Sequence, residues 1–478
     1  MSFYRQKLAQ HFSGNPWWGV YFIYVSLLKR ILLVLLSALL GVLCFPPISF
    51  SFLSVVAWFP LLLGISGAPV KVATRLGVLH GLVFYGATLS WLTEVFEATP
   101  YMVVPLVFMM ASFTGVFCLL VSYSCSLYRV RWWYSFLYAA LWTGIEFFRA
   151  ELFPLGFPWM TPGLGLGPTV LTPIIGVYGG GFLIVLGCSL LIQDRQRKWG
   201  LAVLILMLVA SVLVKPDTDS GQKVRVLALQ SENGFLESYL EMIAECEKEV
   251  EVILLPEYAF GRDVRESKHI WRALTDLATA RNAIVIVGTM TEVEDYWYNT
   301  ALSLTDDGVA GVHYKNYPVH FFDDGRAGEE AKSLQAKGLS FGTPICFDND
   351  YEGVVRRMTA DGATFFAVPS LDAESWTERE HWQHAELFRH RAAENGRWMV
   401  VSTGSGITQL IDAHGVRREW LKPMENGWMH VELPIRTTQT VYTRFGWLFP
   451  WAMLTVSGAW IVILVCKCVQ RLWGCRRN

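Results

Sequence analysis

Three residues in the C-terminal half of the chain carry side chains that could act together in covalent catalysis. Glu257 ends the apolar run VEVILLPE, Lys315 follows the alternating run GVAGVHY, and Cys346 ends GLSFGTPIC. A thiolate is a strong nucleophile, a carboxylate can take up its proton, and an ammonium can stabilise the oxyanion that forms at an attacked carbonyl. The three residue types therefore fit nucleophilic chemistry at a carbonyl group.

Each of these residues also has an ordinary structural explanation when it is considered alone. Glu257 could cap a following helix, and Lys315 could be a solvated lysine at a strand end. Cys346 could be a packed thiol, which is the commoner fate of an unpaired cysteine. The choice between the two explanations depends on the elements around the three residues.

Those elements indicate a layered α/β domain over residues 223–436, in which strands and helices alternate and hairpins are interleaved. The three reactive residues stand at the ends of predicted strands, and 215–222 is expected to be a linker. Strands are predicted at 223–230, 250–260, 283–290, 338–347 and 363–370, helices at 266–281, 351–361 and 378–395, and hairpins at 300–315 and 398–415.

The remainder of the chain is too apolar for a soluble protein. Hydrophobic residues make up 53% of the 478 residues and charged residues only 17%, and the mean hydropathy is +0.34. Charged residues are sparse over 31–214 and common over 215–436. A membrane part at 1–214 followed by a globular part is therefore expected.

Eight apolar segments are candidates for membrane helices, since about 20 apolar residues cross a bilayer. The first two flank Pro46-Pro47 and could form one broken unit. Seven helices are thus expected within 1–214, an eighth at 446–466, and a basic cytoplasmic tail at 467–478. The eight segments lie at 31–46, 50–67, 76–97, 101–125, 132–148, 168–193, 198–214 and 446–466.

The distribution of basic residues predicts how these helices are oriented, because Lys and Arg accumulate in cytoplasmic loops. With the N-terminus inside, the inner connections hold the basic residues, and an odd number of crossings places the globular domain on the outer face with both termini in the cytoplasm. The inner connections then carry Arg5, Lys7, Lys29, Arg30, Lys71, Arg75, Arg129, Arg131, Arg195, Arg197 and Lys198, and the tail adds Lys467, Arg471, Arg476 and Arg477.

Composition excludes some partners. The net charge is −1 and no long basic run occurs in the globular part, so a nucleic-acid partner is not expected. The nine cysteines show no CxxC spacing that would suggest zinc. His381 and His384 lie one helical turn apart, but no third ligand is spaced to join them, so neither a metal nor another cofactor is expected.

The contexts of the three reactive residues resemble the catalytic motifs of the nitrilase, or carbon–nitrogen hydrolase, superfamily. The matching stretches are ILLPEYAF, HYKNYPV and GTPICFDND, and Asn299 in WYNTALSL matches a further asparagine of that superfamily. The apolar stretches LCFPPISFSFLSVVAWFPLLL and GLVFYGATLSWL are similar to the membrane part of the apolipoprotein N-acyltransferase family. The resemblance covers nearly the whole chain.

The resemblance implies a nitrilase-like αββα sandwich joined to a multi-pass α-helical membrane bundle in the bacterial inner membrane. It implies Cys346 as the nucleophile, Glu257 as the general base and Lys315 as the stabiliser of the oxyanion. The implied reaction moves an acyl chain from a phospholipid, typically phosphatidylethanolamine, through a cysteine thioester to the α-amine of a diacylglyceryl-cysteine lipoprotein. A monomer is expected.

Two supporting acids of the family fall on Asp323 and Asp348, where the family usually has glutamate. The segment between Lys315 and Cys346 is also shorter than is typical. These departures leave open a membrane-bound amidase, an acyltransferase with a different amine acceptor, and an inactive scaffold that binds lipid or protein.

Further candidates for substrate contact are Phe347, which follows the cysteine, and the pair Glu146 and Arg149. Charges near the end of a membrane helix are costly and often functional, although these two could simply pair with each other. The aromatic stretch FPW at 157–159 is expected to be an interfacial anchor or part of the core.

Overall fold

The computed structural model describes residues 26–97, 99–128 and 133–475. Its N-terminal part is helical, with a π-helical turn at Phe148–Leu152 and 3₁₀ turns at Ser51–Leu53 and Pro100–Met102. The α-helices of this part are α1 Leu27–Leu43, α2 Ser54–Ala57, α3 Phe59–Ile65, α4 Val70–Thr88, α5 Leu92–Val95, α6 Val103–Leu127, α7 Tyr134–Phe147, α8 Pro162–Leu166, α9 Thr172–Ile192 and α10 Arg197–Val212.

Helices form at each of the apolar segments singled out in the sequence. Among the described residues, three helical stretches are long and apolar enough to cross a membrane by length and composition: Val103–Leu127, Thr172–Ile192 and Tyr442–Arg471. The others are shorter or less apolar, so the predicted number of complete crossings stays a prediction.

Close backbone approach joins the helices of this part. A Cβ on Gly81 of α4 would lie 2.5 Å from the Cα of Ala111 on α6, so the two helices touch where glycine leaves room. Arg30 of α1 is buried, and its Nη1 donates hydrogen bonds to the carbonyls of Gly64 at 2.6 Å and Ser66 at 2.7 Å. This side chain satisfies carbonyls at the end of α3 and fixes α1 against it.

The α/β domain follows and adds four helices and twelve strands. The helices are α11 Leu236–Glu245, α12 Lys268–Arg281, α13 Glu352–Ala360 and α14 Glu378–Asn395. The strands are β1 Lys223–Gln230, β2 Val252–Leu254, β3 Ile284–Val293, β4 Tyr296–Thr305, β5 Gly308–Tyr314, β6 Leu334–Ala336, β7 Leu339–Phe341, β8 Phe366–Ser370, β9 Met399–Thr403, β10 Gln409–Ile411, β11 Arg417–Trp420 and β12 Gly427–Pro434.

Two larger sheets and one two-stranded sheet organise these strands. The six-stranded sheet has the order β12-β1-β2-β3-β4-β5, the four-stranded sheet has the order β11-β10-β9-β8, and β6 pairs with β7. β1, β2 and β3 run parallel to one another, as do β8 and β9, and the remaining pairs are antiparallel.

Alternation along the strands produces four layers. In β1, Val226 packs with Phe365 and Val400 between the two sheets, while its neighbour Leu227 packs on the opposite face with Tyr239 and other apolar side chains of α11 and α12. The outer face of the four-stranded sheet packs against α13 and α14. The arrangement is an αββα sandwich, which confirms the predicted fold class.

Residues 214–222 carry no helix or strand, and Asp217 anchors this stretch. Its carboxylate accepts hydrogen bonds from Trp398 Nε1 and Arg436 Nη2, each at 2.7 Å. After the domain, a π-helical turn at Tyr442–Gly446 leads into α15, Leu448–Cys475. The helix continues through the predicted tail at 467–478 as far as residue 475, and the cytoplasmic position of that tail stays a prediction.

A pair of glycine substitutions on α4 tests the contact between α4 and α6. Gly81→Ala places a methyl group 2.5 Å from a backbone atom of Ala111, whereas Gly86→Ala meets only Val107 Cγ1 at 3.8 Å. We expect Gly81→Ala to lower the stability of the purified protein by about 1–3 kcal/mol through overpacking, and Gly86→Ala to leave it unchanged or raised. Thermal unfolding in detergent measures both. Equal melting temperatures for the two variants would contradict the contact.

Candidate active site

Cys346 lies at the start of a 3₁₀ turn, Cys346–Asn349, shortly after β7. Its φ is +44°, the left-handed region, which costs a residue with a side chain about 1–3 kcal/mol. The side chain is buried, and its Sγ lies 3.7 Å from the carbonyl oxygen of Leu371. A strained turn at the edge of a sheet thus presents the thiol to a cavity.

The carboxylate of Asp348 holds this turn against the segment that follows β5. Oδ2 accepts a hydrogen bond from the backbone N–H of Ile345 at 3.1 Å and lies 2.9 Å from His313 Nε2. Oδ1 accepts from the N–H groups of Asn316 at 2.8 Å and Tyr317 at 2.9 Å. Asp348 is fully buried, so these partners replace water and tie two catalytic loops together.

Lys315 lies directly after β5 and is enclosed by two acids. Its Nζ is 2.8 Å from Glu257 Oε1 and 2.8 Å from Asp324 Oδ2. Asn299 on β4 donates from Nδ2 to Glu257 Oε1 at 2.6 Å and to Asp324 Oδ1 at 2.7 Å. All four side chains are buried, so the two acids share one ammonium, and the Asn299 amide donates to both of them.

The second acid at the lysine is Asp324, and the prediction of Asp323 for that position is wrong by one residue. Asp323 is exposed, whereas Asp324 is buried and also accepts hydrogen bonds from Tyr258 Oη at 2.6 Å and the Val319 N–H at 2.7 Å. Asp324 faces inward and Asp323 outward because the chain turns directly after them, at Gly325, whose φ is +75°. The sequence indicates this turn through the pair Asp324-Gly325, since Asp and Gly are typical turn residues.

Burial and charge set the proton distribution of the group. Burial, and next the charge of Glu257, raise the pKa of Cys346 well above its usual range, against the opposing effect of Lys315. Burial also raises the pKa of Glu257, and Asp324 adds to this against Lys315. Burial would lower the pKa of Lys315, but Glu257 and the other acids raise it well above its ordinary value. At rest the thiol is neutral and the lysine charged.

The thiol faces a cavity of about 870 Å³, its open mouth included, between the helical part and the α/β domain. The walls are mostly apolar, and aromatic rings are frequent. The helical part contributes Leu89, Trp91, Leu106, Met110, Phe157 and Trp159, and the α/β domain contributes Phe321, Phe322, Phe347 and Trp376. Phe347, predicted to contact substrate, therefore lies on the cavity wall beside the nucleophile.

The two charged residues predicted near the membrane surface do not line this cavity. Arg149 donates to the carbonyls of Phe157 at 2.6 Å and Trp159 at 3.1 Å, so it supports the segment that forms one wall. Glu146 accepts from Trp142 Nε1 at 3.1 Å. Phe157 and Trp159, from the aromatic stretch expected to be an interfacial anchor or part of the core, line the cavity next to Cys346.

His384, considered in the sequence only as a metal ligand, lies beside the thiol with two acids that were not predicted as site residues. His384 Nδ1 lies 2.6 Å from Asp372 Oδ1, and its Nε2 lies 3.3 Å from Asp350 Oδ1. One ligand atom each from Cys346, Asp372 and His384 lie within 4.8 Å of one another. This group does not include His381, and both ring nitrogens of His384 already face carboxylates.

Substitutions at two neighbouring positions test which aspartate is the second acid at Lys315. Asp324→Asn leaves Lys315 with one carboxylate, and we expect it to lower stability by about 2–3 kcal/mol and to slow the chemistry at Cys346. Asp323→Asn changes an exposed side chain and serves as the control. Thermal unfolding and single-turnover modification of Cys346 measure the effects. A larger loss for Asp323→Asn would reverse the assignment.

The charge of Glu257 can be separated from its role as a base. Because this charge raises the pKa of Cys346, Glu257→Gln lowers that pKa and increases the thiolate fraction at a given pH. We expect faster alkylation of Cys346 by iodoacetamide, followed by mass spectrometry, together with loss of turnover. Glu266→Gln, at an exposed position, should change neither rate. Slower alkylation in Glu257→Gln than in the control would show that Glu257 does not oppose ionisation.

Comparison with known proteins gives matches for both parts of the chain. Residues 37–190 match the family model of the apolipoprotein N-acyltransferase N-terminal domain, and residues 222–439 match that of carbon–nitrogen hydrolase. Among solved structures, a carbon–nitrogen hydrolase from Helicobacter pylori G27 is 15% identical, with a TM-score of 0.39, over 49% of this chain and 94% of that one.

Curated relatives align along most of the chain. The apolipoprotein N-acyltransferase of Pseudomonas aeruginosa strain LESB58 is 24% identical, with 88% of this chain and 95% of the relative covered. That of Aquifex aeolicus strain VF5 is 25% identical, with 84% and 97% covered. Since both parts of the chain match and the relatives align over almost their full lengths, the chain belongs to the apolipoprotein N-acyltransferase family of the carbon–nitrogen hydrolase superfamily.

Proposed function

We propose that this protein transfers a fatty acyl chain from a membrane phospholipid, through a thioester on Cys346, to the N-terminal amine of diacylglyceryl-cysteine lipoproteins. One observation carries the proposal: the buried thiol next to the pair of Glu257 and Lys315 opens onto an apolar cavity between the helical part and the α/β domain. An acyl chain matches such walls, because burying each methylene group is worth about 0.8 kcal/mol.

The donor in this proposal is phosphatidylethanolamine, and the protein acts as a monomer in the inner membrane of a bacterium. The basic residues of the connections support an orientation with both termini in the cytoplasm and the α/β domain on the periplasmic side. In that position the cavity meets lipids of the outer leaflet, where a lipoprotein substrate would be anchored.

The first half-reaction forms the thioester. As Sγ of Cys346 attacks the ester carbonyl of the phospholipid, its proton passes to Glu257, whose raised pKa suits it to accept one. The oxyanion of the tetrahedral intermediate is stabilised by the Lys315 ammonium. When the C–O bond breaks, Glu257 returns the proton to the leaving oxygen, so that a lysophospholipid departs and the acyl chain stays on sulfur.

The second half-reaction transfers the chain. The neutral α-amine of the acceptor attacks the thioester carbonyl, Lys315 again stabilises the oxyanion, and Glu257 takes the amine proton as the C–N bond forms. The C–S bond then breaks, and the proton passes to sulfur, which restores the thiol. The apolar walls limit access of water, which would otherwise hydrolyse the thioester.

Trapping the acyl-enzyme tests the proposal. Purified protein in detergent is mixed with phosphatidylethanolamine that carries a labelled acyl chain, and the label should appear on the peptide that contains Cys346 in a form that hydroxylamine releases. A diacylglyceryl-cysteine lipopeptide should then remove the label and become N-acylated. Cys346→Ala should give no adduct, whereas Cys246→Ala, at the other cysteine of the α/β domain, should behave as wild type.

The alternatives predict different outcomes. A membrane-bound amidase would release amine or ammonia from a small amide without phospholipid, and a scaffold would give no adduct at all. A thioester that forms normally but reacts only with a different amine would contradict the lipoprotein as acceptor. It would still support acyltransferase activity.

A further inference from the structure

We propose that Glu380 forms a binding site for the primary ammonium group of a substrate in the cavity next to Cys346. The inference rests on the proposed function, because both of its substrates carry such a group: the ethanolamine headgroup of the donor and the α-amine of the acceptor. In this proposal Glu380 is the residue that recognises the ammonium group.

Glu380 is a buried carboxyl group on the wall of an apolar cavity. It is 2% exposed and lines the same cavity as Cys346. Its Oε2 has no hydrogen-bond partner among the described residues. An isolated buried carboxylate is costly, so the ionised form of Glu380 needs a donor or a cation beside it.

The neighbouring groups cannot satisfy Glu380. His381 Nε2 lies 3.8 Å from Glu380 Oε2, but the same nitrogen lies 3.1 Å from the carbonyl oxygen of Ala373. Because a carbonyl oxygen only accepts, the proton on Nε2 is donated to Ala373 and not to Glu380. His384 is flanked by Asp372 at 2.6 Å and Asp350 at 3.3 Å. His384 therefore already has two carboxylates as its partners.

The charge balance favours a cation as the missing partner. With His384 charged, Asp350 and Asp372 leave the cluster at a net negative charge before Glu380 is counted. Burial, together with the charges of Asp372 and, more weakly, Asp350, raises the pKa of Glu380 well above its usual range, against His384, so its carboxyl holds a proton in the free protein. A bound ammonium stabilises the ionised form instead. Trp376 lines the same cavity, and aromatic faces attract cations.

Protection of Cys346 tests the site without requiring turnover. Full-length protein in detergent is alkylated with iodoacetamide in the presence of dodecylamine or dodecan-1-ol, which share the alkyl chain and differ in the head group. We expect the amine to protect Cys346 at about tenfold lower concentration than the alcohol, because a charged hydrogen bond is gained. Glu380→Gln should remove the difference between the two probes. Glu378→Gln, exposed on the first turn of the same helix, should keep it.

Equal protection of the wild-type protein by the two probes overturns the proposal, whether or not the variants fold. So does a difference that Glu380→Gln retains. Because no acyl transfer is needed, failure of the proposed function would appear separately, as absence of a thioester from any phospholipid.

Labelled donors then identify which substrate supplies the ammonium. If it is the donor, Glu380→Gln slows thioester formation from phosphatidylethanolamine about tenfold and leaves that from phosphatidylglycerol unchanged. If it is the acceptor, both donors react as in wild type, and the discharge of the thioester by the lipopeptide is slowed, because Glu380 positions the α-ammonium before it loses a proton and attacks as the neutral amine. No change in either step would exclude the site from the reaction.

Discussion

The active site depends on one buried ammonium. Lys315 is removed from water, and such a charge is stable only when opposite charges and hydrogen bonds enclose it. Glu257 and Asp324 supply the charges, and Asn299 bridges the two acids. The three partners come from the end of β2, from β4 and from the loop after β5. The register of the six-stranded sheet therefore fixes the ammonium, and any shift of one strand would separate the group.

The helical part is joined to this site through α14. Near its N-terminal end Arg379 donates to the carbonyl of Ala87, and further along Gln383 donates to that of Thr88, both at 3.1 Å. Glu394, at the other end, accepts from the N–H of Val177 at 2.8 Å. The same helix carries His384 and Glu380 into the cavity. One helix thus sets the distance between the helical walls and Cys346, so the helical part and the α/β domain together form the candidate site.

Local sequence pattern was sufficient for the fold class, since alternation along a strand is encoded by neighbouring residues. It did not predict α11, β11 or β12, and Cys346 lies in a turn after β7 and not at the end of a longer strand. Asp324 was missed because the side of a loop that a residue faces depends on the turn at Gly325. Glu380 and His384 were missed for a different reason. Their surroundings are formed by residues distant in sequence, such as Asp350 and Asp372, and no local periodicity reports such contacts.

The raised pKa of the nucleophile is consistent with acyl transfer in an apolar site. A free thiolate next to Glu257 would add a second negative charge to a region that excludes water. In the proposed reaction, transfer of the proton from sulfur to Glu257 during the attack leaves the total charge unchanged, and the new negative charge develops on the substrate oxygen near Lys315 instead. The resting thiol therefore reacts only slowly with adventitious electrophiles. In the proposed reaction its proton is lost as a substrate carbonyl accepts the electron pair, which suits a cavity that must admit lipid but not expose a thiolate.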